Sequence, residues 1–298
     1  MKITKNIIVF YHENCVDGFT GAFVAHKKFK EKAEYIPLSR TVKGDDILQS
    51  KKIKISELKD KEVYFIDFCL KENELKKVQK VAKKLIVIDH HIGMKRLVES
   101  LFGSVFRDGV SGAYLAHEYF FPKNIIPKLI RYISIGDTYS FSKDEKINKE
   151  ERNILAYVYT LQFDFKIFSK VEKDLEDKKK FLEIKNTGTI LQSNYLKLVD
   201  NQLNSAKLIN FDGYKVYAIN ASPVFRNELG HKLTEKTKTF TIIYTFERGE
   251  LKLSFRANGG VDVEKIAEKY GGGGHVNASS MKTKDVKFID EFIKKIIS

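Results

Sequence analysis

The sequence contains no tryptophan, two cysteines, three methionines and four prolines in 298 residues. Two cysteines, Cys15 and Cys69, cannot build a disulfide framework, so a small stapled secreted domain is excluded and a reducing compartment fits. Four prolines and 18 glycines exclude collagen-like and Pro/Gly-rich low-complexity chains. No stretch reaches the about 18 consecutive apolar residues of a membrane span. The early run Ile7-Ile8-Val9-Phe10 is too short for a signal-peptide core and lacks a small-residue cleavage site. A cytoplasmic protein with no membrane partner is the expectation. Global disorder is excluded by what is present, since 22 Phe and 14 Tyr supply core material. The 53 Lys and Arg outnumber the 39 Asp and Glu, a formal net charge of +14. Such an excess raises the local concentration of polyanions, although a lysine-rich surface also serves solvation alone.

The first half alternates strand-like and helix-like text. Asn6 to Tyr11, Glu62 to Phe68 and Leu85 to Ile88 are short continuous apolar runs, as buried parallel strands are. Helical spacing follows at Phe19 to Phe29, Lys71 to Lys84, Ser111 to Phe121 and Ile125 to Ile135, with Ser111 placed as an N-cap. This alternation predicts an α/β fold with a doubly wound parallel sheet and helices on both faces. From Asn148 to about Ala206 the strand signals fade and Lys, Glu and Leu dominate, which predicts helices. β signals then return: a hairpin over Lys207 to Asn220 turning at Asp212-Gly213, and a second over Thr239 to Phe246 and Glu250 to Arg256, turning at Arg248-Gly249. Helices are expected at Val261 to Tyr270 and Asp285 to Ile297. The two textures predict a catalytic domain over 1–185, a helical linker over 186–206, and a smaller mixed-sheet α/β domain over 207–298.

Polar, metal-capable residues follow the apolar strands directly. His12 and Asp17 come after the first, Asp67 ends the second, and Asp89-His90-His91 ends the third; Asp137 follows the Ile125–Ile135 helix. In a doubly wound sheet the carboxyl ends of the strands open onto one crevice. Carboxylates and imidazoles gathered there suit Mn²⁺, Mg²⁺ or Fe²⁺, and two ions about 3.5–4 Å apart can activate a water and hold phosphoryl oxygens. Singly, each such Asp is also an ordinary helix cap or turn residue, and a lone His is more often structural. His26, His117 and His231 are read as structural or surface residues.

A second feature is Gly271-Gly272-Gly273-Gly274-His275. It follows a helix rather than opening one and lacks the Lys of a P-loop. Four glycines let backbone N–H groups approach an anion as a nest; the alternative is a flexible linker. Arg256, at the end of the preceding strand, is suited to a phosphate and is equally an ordinary surface residue.

Together these motifs resemble the DHH phosphoesterase superfamily, in its subgroup with a C-terminal DHHA1 domain, which is related to RecJ exonucleases and nano-RNases. The resemblance covers nearly the whole chain: HENCVDG at His12–Gly18, Asp67, VIDHH at Val87–His91, Asp137 within SIGDTYSF, then Ser254-Phe255-Arg256 and VDVEKIAEKYGGGGHVNASSM. It implies that His12, Asp17 and Asp67 ligate metal, with Asp67 bridging two Mn²⁺ ions, and that His90 and Asp137 complete the second site. Mg²⁺ or another divalent ion remains open. Asp89 would orient His90, and His91 would face the scissile phosphate. Arg256, Gly272, Gly273, Gly274 and His275 would grip the substrate.

One position departs from the family pattern: Cys15 stands where an Asp is usual. Two readings stay open, a thiolate ligand favouring softer ions and a small apolar filler. The implied activity is hydrolysis of short oligonucleotides or linear dinucleotides to 5′-mononucleotides, with short single-stranded nucleic acid or a nucleotide as partner. Hydrolysis of pAp or cyclic dinucleotides, a RecJ-type single-strand exonuclease, and a non-catalytic nucleotide-binding module are the alternatives. A homo-oligomer is compatible with the sequence.

Overall fold

The computed structural model describes residues 3–39, 47–247 and 249–297. The chain divides into two compact units, Met1–Gln192 and Ser193–Ser298. In the first unit, β1 (Ile7–His12), β2 (Ala33–Leu38), β3 (Glu62–Ile66), β4 (Lys84–Asp89) and β5 (Val105–Phe106) form a sheet in the order β2-β1-β3-β4-β5. Every pairing in it is parallel. Around it lie α1 (Val16–Phe29), α2 (Ile47–Ser50), α3 (Glu72–Val81), α4 (Lys95–Glu99), α5 (Gly112–Phe120), α6 (Lys128–Thr138), α7 (Glu145–Val158) and α8 (Phe165–Glu176).

The period-2 alternation of side chains sends neighbouring strand residues into different cores. Phe10, Phe65 and Val87 pack with Leu75 and Val78 of α3 and Val98 of α4. Val9, Ile66, Ile86 and Ile88 pack on the opposite face with Val24 of α1 and Ala113, Leu115 and Ala116 of α5. Both faces are therefore covered, as the doubly wound reading requires. A third cluster fastens α6, α7 and α8 to Phe19 and Phe23 of α1.

Several details differ from the sequence reading, which expected three strands in the first unit where five form and announced neither α2 nor α4. β2 is an added strand, whose text, AEYIPL, carries Glu34 and Pro37 in place of a continuous apolar run. Proline is tolerated there because β2 lies at the sheet edge. The helix expected at Ile125 instead begins at Lys128, directly after Pro127, and runs on to Thr138. A proline biases its preceding residue away from helical dihedrals, so residues 125–126 stay outside. Asp137 consequently sits in the last turn of α6 rather than beyond it.

The helix α9 (Lys178–Leu203) leads into the second unit. There β6 (Lys207–Phe211), β7 (Tyr214–Asn220), β8 (Phe240–Glu247), β9 (Glu250–Ala257), β10 (Gly273–His275) and β11 (Ala278–Thr283) form a mixed sheet in the order β10-β11-β9-β8-β7-β6. Only β7–β8 is parallel among these pairings of the described residues. The β6–β7 turn is at Asp212-Gly213, with φ of +51° and +85°, the left-handed pair that a tight two-residue hairpin demands. Of the second expected turn, Gly249 has φ +75°, and Arg248 lies outside the described residues. The helices α11 (Val263–Lys269) and α12 (Val286–Ile297) bury Val263, Ile266 and Phe292 against one face of the sheet. The helix α10 (Arg226–Thr237) covers the other with Leu229 and Leu233. Its text, RNELGHKLTEKT, is too polar to announce a helix by periodicity. No helix among the described residues is long and apolar enough to cross a membrane.

Glu74 of α3 is buried, at 6% exposure, and its carboxylate accepts from the backbone N–H groups of Ile47 and Leu48 at 3.3 and 2.8 Å. Glu74→Ala should leave both donors unsatisfied and cost about 1–3 kcal/mol, a fall of several degrees in Tm. The control Glu72→Ala removes only an exposed ion pair with Lys76 and should leave Tm within about a degree. Equal effects of the two substitutions in thermal denaturation would show that Glu74 does not hold α2.

Candidate metal centre

His12 ends β1, Asp67 follows β3 by one residue, and Asp89 ends β4. These three strands are neighbours, so their carboxyl ends deliver the side chains to one edge of the sheet. Asp67 is at the middle. Its Oδ2 lies 3.3 Å from His12 Nδ1, and its Oδ1 lies 3.3 Å from His90 Nε2 and 3.7 Å from His91 Nδ1. The two carboxylate oxygens thus face imidazoles on different sides. Asp67 holds φ at +53°, a left-handed conformation that costs free energy in a non-glycine residue and concentrates at functional sites.

Asp137, from the last turn of α6, reaches the same edge, its Oδ2 3.4 Å from His90 Nε2. Asp17, in the first turn of α1, accepts from the backbone N–H groups of Gly112 at 2.7 Å and Ala113 at 3.0 Å. It thereby caps α5 together with Ser111, whose hydroxyl accepts from Tyr114 N–H at 3.3 Å. Asp89 folds forward over its own chain. Its Oδ1 accepts from the backbone N–H of His90 at 2.8 Å and of His91 at 3.2 Å, and lies 2.6 Å from His91 Nδ1. Asp89 therefore grips the ring of His91 and the backbone of His90, whereas the resemblance implied orientation of His90. A carboxylate that ends a strand can satisfy the N–H groups of the residues that follow, and here it meets the ring of the second of them as well.

Three sets of donor atoms converge to within 4.8 Å of one another: His12, Cys15 and Asp67; Asp67, Asp89, His90 and His91; and Asp17, His90 and Asp137. Asp17 falls with His90 and Asp137 in this grouping, not with His12.

The electrostatics of these groups follow from burial and from their crowding on one another. Burial, followed by the Asp67 charge, pushes Asp17 up to about 6. Asp137 is raised well above the carboxylate range by desolvation and by Asp17 and Asp67. Desolvation would lower His90, but the Asp67 hydrogen bond and the Asp137 and Asp17 charges outweigh it and raise it to about 10. Desolvation works against the Asp67 carboxylate, yet hydrogen bonds from His12 and His90 hold it below the usual range. Cys15 is raised well above its ordinary value by burial and then by Asp67, Asp17 and Asp137. Crowded carboxylates that retain protons are the donors a divalent ion discharges. The residues present fit such an ion.

Two glycines that the sequence reading passed over make the crowding possible. A Cβ on Gly112 would lie 2.6 Å from Asp67 Cβ and 3.1 Å from Asp17 Oδ2, and one on Gly18 would lie 2.4 Å from the His12 carbonyl oxygen. A glycine in the first turn of a helix, where it costs about 1 kcal/mol against alanine, was the available signal.

The residues singled out in the second unit are arranged as follows. Arg256, in β9, donates from Nε to Asn227 Oδ1 at 2.9 Å and from Nη1 to the Phe255 carbonyl at 2.8 Å. Its stem runs over Gly230 of α10, where a Cβ would come within 2.5 Å of Arg256 Cβ. The glycine run is a helix end and a strand, not a loop of consecutive free donors. Gly271 N–H donates to the Glu268 carbonyl at 3.0 Å and Gly272 N–H to that of Ala267 at 2.8 Å, while Gly273–His275 pair with Ala278–Ser280. The glycines are required by the strand that passes them: a Cβ on Gly272 would lie 2.2 Å from the Ser280 carbonyl oxygen, and one on Gly274 would lie 2.5 Å from Ser279 Cα. β10 is an edge strand, so alternate backbone groups of the run face away from β11.

With this geometry established, comparison with known proteins places the chain. Residues 224–298 match the family model of the DHHA1 domain. The C-terminal quarter of the chain is thus a DHHA1 domain. It is 28% identical to an uncharacterised protein of Acanthamoeba polyphaga mimivirus, over 94% of this chain and 68% of that protein. It is 22% identical to the oligoribonuclease NrnB of Bacillus subtilis, over 72% of this chain and 56% of that enzyme. Among solved structures, an exopolyphosphatase-related protein from Bacteroides fragilis superposes with a TM-score of 0.51 at 15% identity, covering 98% of this chain and 91% of that one; this is a likeness of fold. The Asp-His-His triplet on which the resemblance to DHH phosphoesterases rests is Asp89-His90-His91, outside the matched segment.

Mn²⁺ at about 100 times its dissociation constant should stabilise the protein by about 2.7 kcal/mol, or about 5–10 °C in Tm for a unit of this size. Asp67→Asn keeps a side chain that tolerates the left-handed backbone and should abolish that shift. A full shift in a folded Asp67→Asn protein would place the metal elsewhere. In the DHHA1 domain, Gly272→Ala should cost about 1–3 kcal/mol through the clash with Ser280. Gly273→Ala meets nothing within 4 Å and should be silent in thermal melts; equal stability of the two variants would remove the packing explanation.

Proposed function

We propose that this protein is a divalent-metal-dependent phosphodiesterase that hydrolyses short oligonucleotides or linear dinucleotides to 5′-mononucleotides. The observation that carries this reading is Asp67, whose two oxygens face His12 on one side and His90 and His91 on the other. A carboxylate so placed suits sharing between two cations. His12 and Asp67 would hold one ion, and Asp17, His90 and Asp137 the other, with Asp67 between them. Such ions supply charge neutralisation at a phosphodiester and a water of lowered pKa as nucleophile.

The chain's own residues do the remainder. Asp89 holds the His91 ring at Nδ1, at 2.6 Å, which leaves the other ring nitrogen for a phosphate oxygen or leaving group. An imidazole held by a carboxylate is a competent proton donor to a departing alkoxide. Asp17 anchors the start of α5 and keeps Gly112 against Asp67, which holds the centre to its dimensions. Arg256 is preset by Asn227 and the Phe255 carbonyl, an arrangement that lowers the entropy lost on gripping a phosphate. The +14 net charge attracts anionic substrates without register. The similarity to an oligoribonuclease supports short RNA as the first substrate class to examine.

The test is a panel assay with Mn²⁺, offering dinucleotides to 20-mers of RNA and DNA, cyclic dinucleotides and pAp. Substrates of two to five nucleotides should be cleaved fastest at equal molarity, with release of 5′-mononucleotides. In that assay Arg256→Ala should raise KM roughly 5- to 100-fold, the equivalent of losing a charge-assisted hydrogen bond of about 1–3 kcal/mol. Processive degradation of long single-stranded DNA would move the assignment to a RecJ-type exonuclease. A metal-loaded protein that cleaves nothing in the panel would be a binding module.

A further inference from the structure

We propose that one of the two metal positions is a mixed thiolate site. His12, Cys15 and Asp67 hold a divalent ion of borderline softness, of the Zn²⁺, Co²⁺ or Fe²⁺ class, while Asp17, His90 and Asp137 form an oxygen- and nitrogen-only position for Mn²⁺ or Mg²⁺. The inference rests on the proposed function for the presence of a metal centre and deepens it by dividing the centre into two chemically unlike halves.

Geometry carries the assignment. One imidazole nitrogen, one sulfur and one carboxylate oxygen lie within 4.8 Å of one another; the Asp17, His90 and Asp137 set contains no sulfur, and Asp67 links the two sets through its contact with His90 at 3.3 Å. Three protein donors are the number that catalytic zinc-type sites use, whereas structural sites use four. The thiolate is the donor that discriminates, since soft sulfur favours Zn²⁺, Co²⁺ and Fe²⁺ over the hard ions preferred by carboxylates alone.

The two cysteines of the chain occupy contrasting surroundings. Cys69 is 4% exposed, lies in an apolar cluster with Phe68, Leu70 and Leu75, and donates from Sγ to the Leu70 carbonyl at 3.4 Å. That is the environment of a cysteine used as a small hydrophobe. Cys15 belongs to none of the apolar clusters formed by the described residues. It is partly exposed, stands at the start of α1 with an extended backbone, and is flanked by the carboxylates of Asp67, Asp17 and Asp137. A filler would be expected among carbon atoms. On binding, the sulfur–metal bond replaces the S–H bond and the proton passes to solvent, so no oxidant or further reactant is involved.

The probe is Co²⁺, titrated anaerobically into wild type, Cys69→Ser and Cys15→Ser protein and followed by absorbance. A thiolate ligand gives a near-ultraviolet sulfur-to-cobalt charge-transfer band, which carboxylate and imidazole ligands do not. The band should be present in wild type and Cys69→Ser and absent from Cys15→Ser. Cys69→Ser is decisive even where Cys15→Ser fails to fold, because Cys15 is then the remaining thiol in the chain. In competition dialysis with metal analysis, Cys15→Asp should shift the Zn²⁺-to-Mn²⁺ preference at least 10-fold toward Mn²⁺. Absence of the band from Co²⁺-loaded Cys69→Ser, its persistence in Cys15→Ser, or failure of the wild type to bind Co²⁺ would overturn the proposal. Hydrolysis of dinucleotides without a thiolate band removes the mixed site and leaves the phosphodiesterase; a thiolate band without hydrolysis does the reverse.

Discussion

Asp67 is a buried carboxylate whose two oxygens meet different imidazoles, and the strands of the first unit hold it there. Its own backbone is left-handed at φ +53°, a conformation that persists only when the surroundings over-determine it. The surroundings do so through covalent continuity with β3, a hydrogen bond from Asp67 N–H to the Ile88 carbonyl at 2.9 Å, and the bare face of Gly112 pressed against its Cα and Cβ. β1 and β4 flank β3, so His12 and the Asp89-His90-His91 turn arrive beside Asp67 as a consequence of sheet order. The apolar strands are thus the means by which a polar cluster, costly to assemble in the interior, is held at fixed spacing.

The charge distribution has two scales. The chain as a whole is strongly basic, with a formal net charge of +14, and its long-range field draws polyanions. Within the centre the composition reverses: Asp17, Asp67, Asp89 and Asp137 crowd three imidazoles, and burial together with neighbouring carboxylates raises Asp17 and Asp137 above the ordinary carboxylate range. A divalent ion would take the place of the protons that these crowded groups otherwise share. In this reading the field attracts the substrate and the crowded carboxylates attract the metal, so the two scales are complementary rather than conflicting.

In the DHHA1 domain the same residue types divide their roles between packing and recognition. Gly272 and Gly274 let β10 lie against β11 where a side chain would strike Ser279 or Ser280, and Gly230 lets the stem of Arg256 run across α10. The glycines are thus explained by close approach of backbone. The anion-binding role proposed for this segment draws on the outward-facing groups of an edge strand and on a guanidinium that Asn227 holds.

The elements that could be read from the amino acids alone were those whose signal is local. Apolar runs at Ile7 to Phe10 and Leu85 to Ile88, Ser111 as a cap, and Asp212-Gly213 as a turn depend on neighbours a few residues away, and each appears where expected. The order of chemistry-bearing residues also followed, because a parallel strand places whatever succeeds it at the same edge. What lay beyond the sequence depends on contacts between distant positions or on weak patterns. β2 and α10 are too polar to announce themselves. The glycine run became a strand because Ala278–Thr283 offered a partner. Whether Asp89 orients His90 or His91, whether Asp17 groups with His12 or with His90, and how Gly112, 95 residues away, meets Asp17 are matters of packing. Tertiary structure decided them because side-chain direction at a strand end is set by what the opposing helices leave room for, and no local periodicity encodes that room.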